Sequence, residues 1–342
     1  MKVGMYYNNR DVRIEEQPIP EMGDSDILMK VEACGICGSD IMEWYRIKRA
    51  PVVLGHEVTG KIVDVGKDIR GFSIGDRICS THHVPCDECR YCLRGYHTTC
   101  STFHNENNFA PGGFSQFLRI SGRSVPKGTL KLPDSISYEQ GSFIEPLGTV
   151  IRGLREVSIV PGDTVLVLGA GLIGLLHIKL ARILGAANII ATDIHDYRLD
   201  MAKKFGADNV AIADVEIMDF VQEVNHGRLA DKVIVSTGAL TAAKMGLKSV
   251  DSGGTVLFFA VPRPEEQLEL DINAFWRESK NIKVSYGAAP LDNIQAMDLI
   301  ESGRIDVTDM ITHRLPLNEI QEGFTLTCSG IDSLKVVIKP QC

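Results

Sequence analysis

The sequence predicts an α/β protein of two domains, one built on a doubly wound parallel sheet and the other rich in antiparallel strands. With 342 residues, the chain is long enough for two domains at roughly 150 residues each. From Thr164 onward, apolar strand-like runs alternate with segments of helical spacing, which is the pattern of parallel βαβ units. Residues 1–140 instead carry short β-branched runs separated by glycine, which is typical of antiparallel strands.

The β-rich domain is predicted to be discontinuous in sequence. Its expected strands include runs over 60–66, 72–80 and 112–120. After about residue 278 the strand–helix rhythm is lost, and a helix near 291–302 and a terminal strand over 333–339 follow. We assign residues 1–148 and 279–342 to this domain, and we expect a ligand-binding cleft between it and the rest of the chain.

The second domain is predicted over residues 149–278. Its first expected elements are a strand over 165–170, a helix over 172–184, a strand over 188–192 and a helix over 197–205. Gly185 is a plausible stop for the first of these helices. Three further apolar runs with helical segments between them complete a parallel sheet covered on both faces.

Charge and hydropathy narrow the class of protein. The chain has 36 basic and 44 acidic residues, a net charge of −8, whereas nucleic-acid and anionic-membrane binders carry a basic excess. No run approaches 18 apolar residues, and the N-terminus lacks the apolar core of an export signal. We therefore expect a cytoplasmic protein without nucleic-acid or membrane partners, whose nine cysteines stay reduced.

A glycine-rich turn follows the first strand of the predicted parallel sheet. Gly169, Gly171 and Gly174 form a G-x-G-x-x-G pattern between a strand and a helix, the context in which this pattern binds a dinucleotide pyrophosphate. Asp193 ends the next strand, where a carboxylate binds the ribose hydroxyls and favours NAD over NADP. Arg198 is expected to cover the adenine or ribose. The predicted cofactor contacts are Gly169, Gly171, Leu172, Ile173, Gly174, Asp193, Arg198 and Thr237.

Four cysteines are clustered with the spacing C-x2-C-x2-C-x7-C. They are Cys86, Cys89, Cys92 and Cys100. Four thiolates on one loop can close a tetrahedral zinc site, and because no position stays open such a zinc ion is structural. An iron–sulfur cluster is the competing use of this spacing, but nothing else in the sequence indicates electron transfer.

A second set of metal ligands is scattered along the chain. Cys37, His56, Glu57 and Glu145 offer one thiolate, one imidazole and two carboxylates. Three such ligands with an open fourth position are typical of a catalytic zinc site. Cys34 and Cys37 are alternatively a redox C-x-x-C pair, but the βαβ context of that motif is absent.

These motifs together resemble the zinc-containing medium-chain dehydrogenase/reductase family over essentially the whole chain. The motifs that carry the resemblance are CGICGSD (34–40), GHE (55–57), the four-cysteine loop, EPLG (145–148), GAGLIG (169–174) and THRLPL (312–317). The chain is most similar to the polyol (sorbitol) and threonine dehydrogenase branch. Ethanol-oxidising members typically have a cysteine where this chain has Glu145.

The resemblance implies a Rossmann dinucleotide-binding domain beside a GroES-like catalytic domain. It implies two zinc ions per chain, one structural and one catalytic, with the catalytic ion held by Cys37, His56 and either Glu57 or Glu145. It also implies that Ser39 accepts the proton of a small alcohol substrate while NAD accepts its hydride. A homo-oligomer, either a tetramer or a dimer, is expected on the same basis.

The chain departs from the family pattern at two places. Many relatives carry a relay histidine five residues after the cysteine ligand, where this chain has Met42, and a thioether does not shuttle protons. Glu43, His82 or water remain as candidates for that role. Sorbitol-oxidising relatives also have an Arg-Tyr pair near the position of Ser285 and Tyr286, which weakens an assignment to sorbitol itself.

The leading hypothesis is therefore NAD-dependent oxidation of a secondary hydroxyl of a polyol, sugar derivative or cyclitol. The alternative within the family is an L-threonine 3-dehydrogenase-like enzyme. A non-catalytic zinc-ribbon module explains the four cysteines but not His56, Glu57, Glu145 or the glycine turn. A zinc-free quinone reductase of the same superfamily predicts no ligand set at 37, 56 and 145.

Overall fold

The computed structural model describes residues 1–214 and 216–342 and divides the chain into two compact units. Unit 1 comprises Met1–Gly148 and Ala288–Cys342, and unit 2 comprises Thr149–Gly287. The expected return to the first domain at residue 279 is wrong, because the strand Asn281–Val284 pairs in parallel with Val250–Phe258 of unit 2. Residues 279–287 therefore complete the second unit.

Unit 2 alternates strands and helices along its whole length. Its strands are β10 (Thr164–Leu168), β11 (Asn188–Asp193), β12 (Asn209–Ile212), β13 (Ala230–Val235), β14 (Val250–Phe258) and β15 (Asn281–Val284). Its helices are α6 (Leu172–Leu184), α7 (Asp196–Lys204), α8 (Ile217–Val224), α9 (Leu240–Ser249) and α10 (Ile272–Arg277). The helix predicted over 172–184 has those bounds, and it ends because Gly185 adopts a left-handed conformation with φ of 103°.

The sheet of unit 2 is parallel throughout, in the order β12-β11-β10-β13-β14-β15. All five residues of β10 are buried, which explains why this strand is a continuous apolar run rather than an alternating one. The strand order reverses between β10 and β13. Ligands of such sheets bind outside the carboxyl ends of the strands at this reversal, so the fold places the glycine-rich turn there.

Unit 1 is built mainly from strands. They are β1 (Lys2–Asn8), β2 (Asp11–Glu16), β3 (Ile27–Gly35), β4 (Val52–Val53), β5 (Glu57–Val65), β6 (Arg77–Ser80), β7 (Phe109–Ala110), β8 (Phe117–Ile120), β9 (Thr129–Lys131), β16 (Ile311–Pro316) and β17 (Lys335–Lys339). Its helices are α1 (Glu43–Arg46), α2 (Ser101–Asn105), α3 (Ser124–Gly128), α4 (Tyr138–Gly141), α11 (Pro290–Glu301) and α12 (Ile320–Ser329), and α5 (Ile144–Val157) crosses the division at Gly148.

The strands of unit 1 form a three-stranded sheet, β2-β1-β4, and a larger sheet with the path β16-β17-β3-β5-β6-β9. Side chains of β3 alternate, so that Ile27, Met29 and Val31 are fully buried while Lys30 and Glu32 are partly exposed. This apolar face anchors the register of β3 against β5. The predicted α/β fold, with a parallel sheet and a separate, mainly antiparallel sheet, is thus confirmed. None of the helices in the described ranges is long and apolar enough to cross a membrane.

Candidate active site and metal centres

The facing ends of two paired strands bring three predicted zinc ligands together. In the antiparallel pair β3–β5, Gly35 lies opposite Glu57, so the residues that follow β3 meet those that begin β5. Cys37, His56 and Glu57 each offer a ligand atom within 4.8 Å of the other two. Thiolate, imidazole and carboxylate are the donors that zinc prefers. The donor set therefore fits a catalytic zinc ion.

Glu57 is also paired with a buried lysine from the other end of the chain. Its Oε2 accepts a short hydrogen bond from Lys335 Nζ, and both side chains are at most 1% exposed. Burial lowers the pKa of Lys335, but the Glu57 carboxylate raises it above the ordinary value, so Lys335 carries its positive charge at neutral pH. Within the described residues, the buried Oε1 of Glu57 has no hydrogen-bond partner, which leaves this oxygen for a metal ion.

Glu145 is near this group but is not part of it. The residue lies in the first turn of α5 and lines the same small cavity as Glu57. At this site, among the residues that the structure describes, the group with ligand atoms within 4.8 Å of one another comprises Cys37, His56 and Glu57, without Glu145. Burial raises the pKa of Glu145 to about 7, against the opposing effect of His56. The geometry thus puts Glu57, rather than Glu145, at ligand distance.

Asp40 is a site residue that the sequence motifs did not single out. Its side chain is fully buried, its Oδ2 accepts a hydrogen bond from Cys37 N at 3.1 Å, and its Oδ1 lies 3.4 Å from His56 Nδ1. A carboxylate on this side of the ring leaves Nε2 for a metal. Burial raises the pKa of Asp40, but His56 and Arg46 lower it below its usual range, so Asp40 is ionised at neutral pH. The sequence signal that could have identified Asp40 is its position three residues after the predicted ligand Cys37.

Ser39 lies against the thiol of Cys37. Its backbone N and its Oγ both donate to Cys37 Sγ at 3.4 Å. Arg46 donates from Nε to Ser39 O at 2.9 Å and from Nη2 to Ser39 Oγ at 3.0 Å. Sequence reasoning missed Arg46, because α1 has only four residues and offers no periodicity from which its direction can be predicted.

The three residues considered for an outer proton relay have different surroundings. Met42 is the residue that precedes α1, and Glu43 accepts a hydrogen bond from Asn9 N at 3.1 Å. The ring of His82 lies 5.2 Å from the ring of His56, measured between centroids. Burial lowers the pKa of His82 well below its ordinary value, with His83 and His56 adding to the effect, so its ring is neutral at pH 7.

The four clustered cysteines converge on one point. All four Sγ atoms lie within 4.8 Å of one another, and three of the pairs are 3.5, 3.6 and 3.9 Å apart. A tetrahedral site with zinc–sulfur bonds of about 2.3 Å requires sulfur–sulfur distances of about 3.8 Å. Disulfide bonds are much shorter, about 2.05 Å. Cys86, Cys89, Cys92 and Cys100 therefore fit a structural zinc ion.

The other thiols have no comparable surroundings. Burial raises the pKa of Cys34 well above its usual value and that of Cys79 to about 12. Thiols of this kind stay protonated and unreactive, which argues against a redox pair of Cys34 with Cys37. Cys328 and Cys342 are exposed near the C-terminus.

The glycine-rich turn of unit 2 connects β10 to α6. Gly169 has a φ of 96°, which favours glycine, and Gly171 is the N-cap of α6. A Cβ atom on Gly174 would lie 2.0 Å from the carbonyl oxygen of Gly169, so only glycine allows the helix to approach the strand this closely. Backbone N–H groups at the start of α6 are thereby available for an anion.

The remaining predicted cofactor contacts surround this turn. Asp193 is 4% exposed, and its Oδ2 accepts a hydrogen bond from Ala170 N at 2.8 Å. Arg198 Nη1 lies 3.6 Å from the same oxygen. The side chain of Thr237 lies beside Gly169. Leu172 and Ile173 are half-buried in the first turn of α6.

Comparisons with known proteins agree with both halves of this arrangement. Residues 23–134 match the model of the alcohol dehydrogenase GroES-like domain, and residues 173–302 match that of the zinc-binding dehydrogenases. The chain is 33% identical to an L-threonine 3-dehydrogenase of Pectobacterium carotovorum subsp. carotovorum, with 94% of each chain covered. An alcohol dehydrogenase of Thermus sp. ATN1 has a similar structure, with a TM-score of 0.87, 28% identity and 99% of each chain covered. A Sinorhizobium meliloti 1021 protein solved with bound NADP gives a TM-score of 0.86, 27% identity and 99% coverage of each chain.

Proposed function

The chain belongs to the zinc-containing medium-chain dehydrogenase/reductase family, and from this premise we propose that it oxidises a secondary hydroxyl group of a small polar substrate with NAD. In this proposal unit 1 holds the zinc ions and unit 2 holds the dinucleotide. The observation that carries the proposal is the convergence of Cys37, His56 and Glu57 beside the hydroxyl of Ser39.

Cys37, His56 and Glu57 would hold the catalytic zinc ion, and Glu145 is close enough to the cavity of Glu57 to be its alternative as third ligand. When bound, the zinc ion supplies a Lewis acid that lowers the pKa of the substrate hydroxyl, and NAD supplies the hydride acceptor. Lys335 gives the buried Glu57 carboxylate a counter-charge, which offsets the cost of burying it. Asp40 orients the imidazole of His56 toward the metal side.

Ser39 would receive the proton that the substrate hydroxyl loses and, in the same step, would release its own hydroxyl proton outward to the nicotinamide ribose or to water. Its hydroxyl oxygen lies next to Cys37 Sγ, so a hydroxyl group at the open ligand position would be within its reach. Met42 provides no onward acceptor for this proton. Replacement of Ser39 by alanine is expected to lower kcat for alcohol oxidation by roughly 100-fold or more, the usual contribution of a general acid–base group.

Asp193 supports the choice of NAD over NADP. Its carboxylate ends β11 and is held by Ala170 N, where it would repel a 2′-phosphate. Arg198 lies 3.6 Å from Asp193 and weakens this repulsion by its charge. The ratio of kcat/KM for NAD and NADP, measured with one alcohol, tests the preference, and a ratio of one or below would contradict it.

The substrate class that we favour is a polyol, sugar derivative or cyclitol. Glu145 in place of a cysteine argues against the ethanol-oxidising members and supports the polyol and threonine dehydrogenase branch that the sequence resembles. L-threonine is the second candidate, supported by the relatives that bear the name L-threonine 3-dehydrogenase. NADH formation across a panel of polyols, cyclitols and hydroxy amino acids separates the two. Turnover of threonine alone would refute the polyol proposal.

The working form that we propose is a cytoplasmic homo-oligomer, either a tetramer or a dimer. Members of this family are commonly oligomeric, which supports the proposal. Light scattering on the purified zinc-loaded protein measures the mass directly, and a mass of one 37.5 kDa chain would contradict it.

A further inference from the structure

Arg46 connects the two parts of the candidate active site that handle the proton and the metal. Its guanidinium donates to Ser39 Oγ at 3.0 Å and to Ser39 O at 2.9 Å, and it lies 3.6 Å from Asp40 Oδ1. Asp40 in turn contacts His56 and the backbone of Cys37. We propose that Arg46 is a positioning residue, whose guanidinium sets the orientation of the Ser39 hydroxyl for alcohol oxidation. This inference rests on the proposed function.

The direction of the hydrogen bonds explains how Arg46 acts. A guanidinium has only donors, so the Oγ of Ser39 must accept from Arg46, and its own hydrogen must point elsewhere. Cys37 Sγ, at 3.4 Å, is the acceptor that the structure shows for this hydrogen. The remaining lone pair of Ser39 Oγ is then free to accept a hydrogen bond from a substrate hydroxyl. Without Arg46, the serine hydroxyl can rotate, and the fraction of productive orientations falls.

The surroundings of Arg46 hold its guanidinium in place. The side chain is 12% exposed, Asp40 is fully buried, and the guanidinium carbon lies 4.9 Å from the centre of the Tyr45 ring. The planar guanidinium of Arg46 is stacked on the Tyr45 ring and ion-paired with Asp40. Because its donors are already held in a fixed arrangement, it loses little conformational entropy when it forms a further hydrogen bond. Lysine at this position retains the positive charge but not the planar arrangement of several donor nitrogens, since it donates from a single nitrogen atom.

Four variants of the zinc-loaded full-length protein test the proposal in alcohol oxidation. Arg46→Met is expected to lower kcat about 10- to 100-fold with little change in KM. The loss is smaller than that of Ser39→Ala because only part of the general acid–base contribution of Ser39 depends on its orientation. Arg46→Lys should recover part of this loss. Ser39→Ala combined with Arg46→Met should be no slower than Ser39→Ala alone, because Arg46 acts through the serine hydroxyl. If the fold-losses in kcat of the two single variants multiply in the double variant, the proposal is overturned.

Arg49→Met is the matched control. Arg49 stands in the same segment, and its guanidinium carbon also faces the Tyr45 ring, at 5.7 Å, but the residue is exposed. Its replacement removes the same charge and is expected to leave kcat within about twofold of wild type, which is the behaviour of a surface substitution. A loss equal to that of Arg46→Met would show a general charge effect and would refute a positioning role.

A spectroscopic readout tests the same geometry without turnover. With cobalt(II) in the Cys37 site and zinc kept in the four-cysteine site, the thiolate-to-cobalt absorption band reports the hydrogen bonds to Cys37 Sγ. Arg46→Met and Ser39→Ala should shift this band to longer wavelength, and Arg49→Met should leave it in place. If Arg46→Met fails to fold, Arg46→Lys is measured instead. A wild-type protein that oxidises no alcohol refutes the proposed function, whereas an unshifted band in Arg46→Met refutes the role of Arg46.

Discussion

Replacing Gly171 with alanine tests the dinucleotide turn, because the protein itself has room for the added methyl group. A Cβ atom there would meet Arg198 Nη1 at 3.9 Å and Arg198 Cζ at 4.0 Å, which is ordinary van der Waals contact. The φ of Gly171 is −68°, a value that alanine adopts without strain. The unliganded Gly171→Ala protein should therefore unfold at the same temperature as wild type.

The added methyl group should weaken the protein only in its affinity for the dinucleotide. If the pyrophosphate approaches the backbone at Gly171, the methyl group occupies the space that the phosphate oxygens need. Inserting a methyl group into a filled contact costs about 1–3 kcal/mol. Each 1.4 kcal/mol is a factor of about ten in affinity, so the Kd for NADH should rise roughly 5- to 150-fold.

Fluorescence titration with NADH measures this change, and a thermal melt of the same samples reports the fold. Gly174→Ala is the contrasting variant, since its Cβ would lie 2.0 Å from Gly169 O and should destabilise the unliganded protein itself. An unchanged Kd for NADH in a normally folded Gly171→Ala protein would show that no pyrophosphate approaches this residue. The assignment of this turn to dinucleotide binding would then be refuted.

Further predictions concern the metals, the cofactor and the stability at low pH. Metal analysis should find two zinc ions per chain, and Cys92→Ser should lose one of them together with thermal stability, whereas retention of both ions would disprove the four-cysteine site. Cys37→Ser should abolish turnover but leave the melting curve unchanged, so residual activity near wild type would remove Cys37 from catalysis. Asp193→Gly should lower the NAD-to-NADP ratio of kcat/KM, and a constant ratio would exclude Asp193 from cofactor selection. His177 is fully buried, and this burial lowers its pKa to about 3. The unfolded chain therefore binds a proton below about pH 6.5 that the folded chain does not, and stability falls as the pH drops, by about 2 kcal/mol between pH 7 and pH 5. Urea unfolding of His177→Leu should show this pH dependence reduced by that amount, while the exposed control His226→Asn should match wild type.

Short-range patterns predicted much of the second unit. The turn from Gly169 to Gly174 is flanked by a strand and a helix within 21 residues, Thr164–Leu184, and each element is identified by the spacing of its own apolar residues. The boundary at 279 was misplaced because β15 is exposed along its whole length, so the four residues carry no buried apolar run to mark them as a strand of the sheet.

The sequence predicted the types of ligand in the candidate zinc site, but not which glutamate lies at ligand distance. The donor types Cys37, His56, Glu57 and Glu145 followed from motifs, but the choice between the two glutamates depends on the register of β3 against β5. That register places Glu57 opposite Gly35, next to the cysteine. A one-residue shift would turn the Glu57 side chain to the other face of the sheet, and nothing local in the sequence excludes such a shift.

The sequence by itself determined the kinds of chemistry that this protein carries, because ligand types, cysteine spacing and the glycine turn are encoded within a few neighbouring residues. Tertiary structure alone decided how those groups are held. Lys335 meets Glu57 across 278 residues of chain, and Arg46 turns back onto Ser39 from a single helical turn. Such partners are selected by the packing of distant strands and by the need of buried charges for counter-charges, and neither of these leaves a periodic trace in the sequence.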